Sequence, residues 1–128
     1  MRFGIIVASM GIALAGAASA QTPNVSGVWQ VRGQIVHGDR TVTVSPACTI
    51  QQSGGRLSGD CVGPNGRGPL AGSIAGDRIS WTWKDVATTA VGVSATTNFN
   101  GTYVNDRLIR GTMNSTAIAG TGNFTQTR

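Results

Sequence analysis

The sequence predicts an all-β fold, an antiparallel up-and-down meander of about eight strands closed into a barrel. Three observations predict it. Apolar and polar residues alternate with period two between turn signals, and no segment after the first twenty residues carries a helical period. A short pattern recurs, "GGRL" at 54–57, "GDRI" at 76–79 and "NDRL" at 105–108, in which two turn-forming residues precede an arginine and an aliphatic. The connections are short, so strands adjacent in sequence pair, and closure would remove the free edges of a sheet with one dry face.

The first segment, "MRFGIIVASMGIALAGAASA", has a cationic Arg2, an apolar stretch and an A-x-A site at Ala18-Ser19-Ala20. It reads as a signal peptide over 1–20, leaving one β-barrel domain over 21–128. No later apolar segment is long enough to span a bilayer as a helix. The expectation is export to a periplasm or the medium, as a monomer.

The strands follow in order: 26–36, 40–51, 56–63, 67–75, 78–85, 93–104, 107–114 and 117–127. The second and third meet at Gly54-Gly55. Counting outward from that turn sets Gln52 against Leu57, Ile50 against Gly59 and Cys48 against Cys61. The turn therefore brings the two cysteines face to face, as an exported chain with two cysteines requires for a disulfide. The fourth and fifth meet at Gly76-Asp77. The same count sets Ile74 against Ile79, Gly72 against Trp81 and Leu70 against Trp83, all on one face. Two tryptophans stand two residues apart because a strand sends alternate side chains to one side. The sixth and seventh meet at Asn105-Asp106. Leu108 and Met113 cannot both face inward there without a slip, so a bulge near Ile109–Arg110 is expected. In the last strand Phe124 and Arg128 return to the end where Trp29 begins the first, and Arg128 is placed to stack on Trp29.

The three tight turns share one end of the meander. The opposite end gathers the connections at 36–40, 62–69, 84–94 and 114–117, and a ligand mouth belongs there. Trp83 falls near that mouth and Trp81 deeper, with Asn65 and Arg67 on the adjoining loop; these four are the expected ligand-binding residues. Inward positions include Gly33, Gly59, Gly63, Gly72, Gly101, Gly111, Gly120 and Gly122. They either leave room for an apolar or aromatic ligand or let a narrow barrel fill with its own large side chains.

Charge and chemistry narrow the function classes. After residue 20 the acids are Asp39, Asp60, Asp77, Asp85 and Asp106, with no glutamate, against eight arginines and Lys84. The cations are scattered singly, unlike a track for a nucleic-acid backbone, so no nucleic-acid partner is expected. His37 is the only histidine and no carboxylate pair stands out, so neither an enzyme nor a metal or other cofactor is expected.

"SGVW" at 26–29 resembles the G-x-W opening of the calycin group of small barrels. "RLSGDC", "ISWTWK" and "TTNFNGTY" are similar in order and spacing to the avidin pattern, over most of 25–128. Avidins place polar ligand-binding residues where this chain has Val31, Ile35, Cys61 and Gly63; only Trp83 or Trp81 matches a biotin-contacting position. The resemblance implies a barrel rather than biotin. "SGVW…ACTI…GDC" also resembles bacterial periplasmic metalloproteinase inhibitors, which implies a secreted protease as the alternative partner, with residues 21–26 as the inserting segment. The expected function is thus a non-enzymatic binding protein for a small apolar or aromatic ligand, with a protease inhibitor or other protein-binding module as the alternative.

Overall fold

A computed structural model describes residues 22–64, 66–87 and 94–128. The signal-peptide reading of 1–20 lies outside them, as does Asn65.

Among the described residues the chain forms strands β1 (Gly27–His37), β2 (Arg40–Val44), β3 (Ala47–Ser53), β4 (Arg56–Val62), β5 (Gly66–Ala75), β6 (Arg78–Ala87), β7 (Ala95–Asn105), β8 (Leu108–Ser115) and β9 (Ile118–Thr127). Each pairs antiparallel with its sequence neighbour from β3 to β9, and β9 closes onto β1. The result is an eight-stranded closed up-and-down barrel with β2 as one extra strand, consistent with a calycin-like barrel. No helix among the described residues is long and apolar enough to cross a membrane.

Alternation builds the core. Trp29, Val31 and Ile35 from β1 meet Ile50, Leu57, Leu70, Ile74, Ile79, Trp81, Trp83, Phe99, Ile109, Met113 and Phe124, all buried. Each such side chain contributes roughly 1.5–3 kcal/mol by leaving water. The aromatic centre is ordered by register. Trp81 faces Phe99 across β6 and β7 and stacks on it at 4.0 Å, and Phe99 meets the ring of Phe124 edge-on at 5.0 Å.

Both glycine-turn hairpins have the register that the turns dictate. Cys48 pairs with Cys61 and Ile50 with Gly59, and the disulfide joins Cα atoms 4.0 Å apart. Gly72 pairs with Trp81 and Leu70 with Trp83. In the chain-entropy picture a cross-link over a loop of this size stabilises by roughly 3 kcal/mol.

Three expectations are corrected. The single strand 40–51 is broken at Ser45-Pro46 into β2 and β3, which pair with the far and near halves of β1. Proline has no N–H to give the ladder; its carbonyl instead accepts from Val31 N at 2.9 Å. The third hairpin turns one residue later than expected, at Asp106-Arg107, with Asn105 opposite Leu108. The Asn105 side chain accepts from Arg107 N at 2.9 Å, which fixes that turn. The slip is taken up between Tyr103 and Asn105, not near Ile109–Arg110, so Ile109 and Met113 face inward and Leu108 is half-buried. Finally, Gly120 is exposed rather than inward. It sits in a second irregularity, between Ile118 and Gly122, at φ +101°.

Candidate ligand site at the loop end of the barrel

β6 runs from the Gly76-Asp77 turn toward the end that also carries the turns after β1, β4 and β8. Its inward face presents Ile79, Trp81, Trp83 and then Asp85, in order of approach to the rim. Trp83 stands opposite Leu70 on one side and Thr97 on the other. Its six-membered ring lies against Gly63, where a Cβ would come within 3.1 Å of Cη2. A side chain at this position would press the indole back from the β4–β5 connection by a few tenths of an ångström.

Neither indole makes a hydrogen bond. Trp81 and Trp83 are 1% and 2% exposed, yet Nε1 of each is buried without a partner. A buried donor left unpaired costs about 1–3 kcal/mol. The Gln126 amide, fully buried on β9, likewise has no partner.

Asp85 continues the same face. Its carboxylate lies against Gly66, in the space a side chain there would need, and Oδ1 is buried and unpartnered. Burial pushes its carboxyl above the usual aspartate range, because desolvation disfavours the charged form. Across the wall, the buried Thr97 hydroxyl reaches Ser115 Oγ at 3.3 Å. The rim thus collects the Trp83 indole, a hydroxyl and a carboxyl that protonates more readily than an exposed one, with the Trp81 indole deeper on the same face.

The expected ligand residues separate. Trp81 and Trp83 share the inward face, one above the other. Arg67 lies at the same end but on the outer face of β5, exposed, between Val62 and Val86. Asn65 is outside the described residues, as are 88–93 of the long β6–β7 connection. Asp85 and Thr97 were not singled out from the sequence. Counting by twos from Trp81 reaches Asp85, and the β7 register brings Thr97 opposite Trp83.

The midsection of the barrel is occupied by its own side chains. The space at Gly33 is filled by Met113 Sδ, that at Gly72 by Trp81 Cβ at 2.5 Å, and that at Gly101 by Phe124 Cζ at 2.9 Å. These glycines make room for neighbours, so the centre of the barrel is filled by its own side chains.

The opposite end is closed. The Arg128 guanidinium lies over the Trp29 ring at 4.2 Å and donates to Asp106 O at 2.6 Å and Ser26 O at 2.8 Å. Residues 23–26 cross beneath it. Val25 is fully buried, accepts from Trp29 Nε1 at 2.9 Å and donates through its own N to Gln52 Oε1 at 2.7 Å. Gln52 Nε2 also holds Pro23 O at 3.0 Å.

Among the described residues no three His, Cys, Asp or Glu side chains converge. His37 is exposed at the end of β1, beside the Gly38-Asp39 turn. No protein-family model matches the chain, and no curated protein matches it either.

Proposed function

We propose that this chain is an exported, non-catalytic binding protein, and that its ligand is a small apolar or aromatic molecule carrying a hydrogen-bond acceptor. The ligand sits at the loop end of the barrel, its flat face on Trp83. The observation that carries this reading is the pair of buried, unpartnered indole N–H groups on the face that leads to the rim. An acceptor on the ligand would satisfy a donor already desolvated, so only the acceptor must be dehydrated when the bond forms. The similarity to avidin in order and spacing supports the location. Val31, Ile35, Cys61 and Gly63 are apolar or lack side chains where avidins hold biotin, which argues for a different ligand. Export is supported by the leader-like first twenty residues and by the disulfide.

The test is a tryptophan-fluorescence screen of aromatic amides, aromatic acids and the matching hydrocarbons. Compounds with an acceptor should shift the emission, and Trp83→Phe should abolish the response while far-UV circular dichroism stays native. No response to any compound in the screen would refute the reading. The alternative, insertion of residues 21–26 into a protease, gains no support from the geometry. Pro23, Asn24, Val25 and Ser26 are fastened to Gln52, Trp29 and Arg128.

A further inference from the structure

The outer wall over β5 to β8 holds a groove of about 480 Å³, remote from the rim and on the other side of the sheet. Its polar lining comes from Ser73, Ser80, Asn100, Thr102 and Thr112, with Arg78 at one margin. Register explains why these meet. Ser73, Ser80, Asn100 and Thr112 are cross-strand neighbours in one row, and Arg78, Thr102 and Arg110 form the next. Arg78 and Arg110 are thus two strand steps apart, about 10 Å, with Thr102 between them.

The chemistry of the groove is that of a donor. Asn100 Oδ1 is taken by Ser80 Oγ at 3.0 Å, which leaves the Asn100 amide N–H groups free to donate outward. The outward positions of β6, β7 and β8 carry Arg78, Lys84 and Arg110 and no carboxylate. Nor do they carry an aromatic ring. Binding to single-stranded nucleic acid relies on aromatic stacking platforms, and this wall has none. It offers instead hydroxyls, an amide and two spaced guanidinium groups, each able to bind a carboxylate through paired N–H bonds.

We propose that this groove binds a short stretch of an acidic polysaccharide, with sugar hydroxyls on the Ser-Asn-Thr row and carboxylates on Arg78 and Arg110. A pyranose in an extended glycan advances the chain by about one strand step, so carboxylates on alternate sugars reach arginines on alternate strands.

The experiment titrates the full chain with tetragalacturonate, with neutral maltotetraose and with a four-residue oligothymidylate, in low salt. Tetragalacturonate should bind, with affinity falling as salt rises, and the other two should bind at least tenfold more weakly. Arg78→Ser with Arg110→Ser should weaken tetragalacturonate about tenfold or more. Asn100→Ala should weaken it at low and high salt alike, because that contact is a hydrogen bond rather than a charge pair. A control pair off this wall, Arg32→Ser on β1 with Arg40→Ser on β2, makes the same change in net charge and should bind as the parent does. Equal binding of maltotetraose, tighter binding of the oligothymidylate, or an equal loss in the control pair would each overturn the proposal.

Discussion

Replacing Arg128 by alanine opens the closed end of the barrel, and the size of the effect follows from its contacts. The guanidinium stacks on Trp29 at 4.2 Å and makes two short hydrogen bonds to backbone carbonyls, to Asp106 O at 2.6 Å and Ser26 O at 2.8 Å, with a longer one to Asn24 O at 3.3 Å. The cation–π contact contributes about 1 kcal/mol, and each short hydrogen bond about 1 kcal/mol at a wet site. The loss should therefore be about 3 kcal/mol, a fall in Tm of roughly 10–20 °C for a domain of this size. Arg128→Lys keeps a cation over the ring but cannot reach three carbonyls at once, so about half the loss should return. Because the partners are carbonyls and a ring, half-molar salt should change the difference little. Urea unfolding followed by tryptophan emission measures it, with Arg107→Ala as an exposed turn control that should lie within about 0.5 kcal/mol of the parent. If Arg128→Ala unfolds at the same urea concentration as Arg107→Ala, the lid contributes nothing and this reasoning fails.

Two further outcomes follow from single contacts. Asp85 has its carboxyl raised by desolvation, so the folded state is penalised for its charge above the raised value. That penalty fades as pH falls through the folded value and is gone below the unfolded one, near about 3.9; Asp85→Asn should thus raise the urea midpoint at pH 7 and not at pH 3, and an equal gain at both would contradict the assignment. Gly72→Ala drives its methyl into the backbone of β6 at Ser80 O, with Trp81 Cα 2.6 Å away, whereas at Gly33 the nearest obstacle is the movable Met113 Sδ; thermal melts should show Gly72→Ala losing roughly 3 kcal/mol or more and Gly33→Ala about 1–2.

Much of this fold was legible because two of its turns carry their own ruler. Gly54 and Gly76 adopt φ of +62° and +59°, which only glycine accepts readily, so the turn positions were fixed and every pair outward from them followed. The third hairpin had no glycine in its turn. There an asparagine side chain chose the turn residues by bonding Arg107 N, and counting from the neighbouring pair came out one residue wrong. The break at Ser45-Pro46 was signalled by the proline. The contact that makes it useful, Pro46 O with Val31 N, joins residues fifteen apart and exists only once β1 and β3 pair. Such tertiary bonds are not written in local spacing.

The site was half legible for a related reason. Parity assigns every residue of a strand to a face once one residue is assigned, and it places Asp85 with Trp81 and Trp83. Asp85 closes the expected strand 78–85, two residues beyond Trp83, so the same count reaches it. Parity also puts Arg67, three residues before the inward Leu70, on the outer wall. What parity cannot supply is whether an inward donor finds a partner; the two indoles and the Gln126 amide have none. The same alternation keeps the proposed sites apart. β6 gives Trp81, Trp83 and Asp85 to the interior and Arg78, Ser80 and Lys84 to the exterior, so a ligand on Trp83 and a glycan at Arg78 touch one strand from opposite sides. Neither can displace the other by direct contact. If saturating tetragalacturonate nevertheless shifts the ligand affinity read from Trp83, the coupling must pass through the backbone of β6.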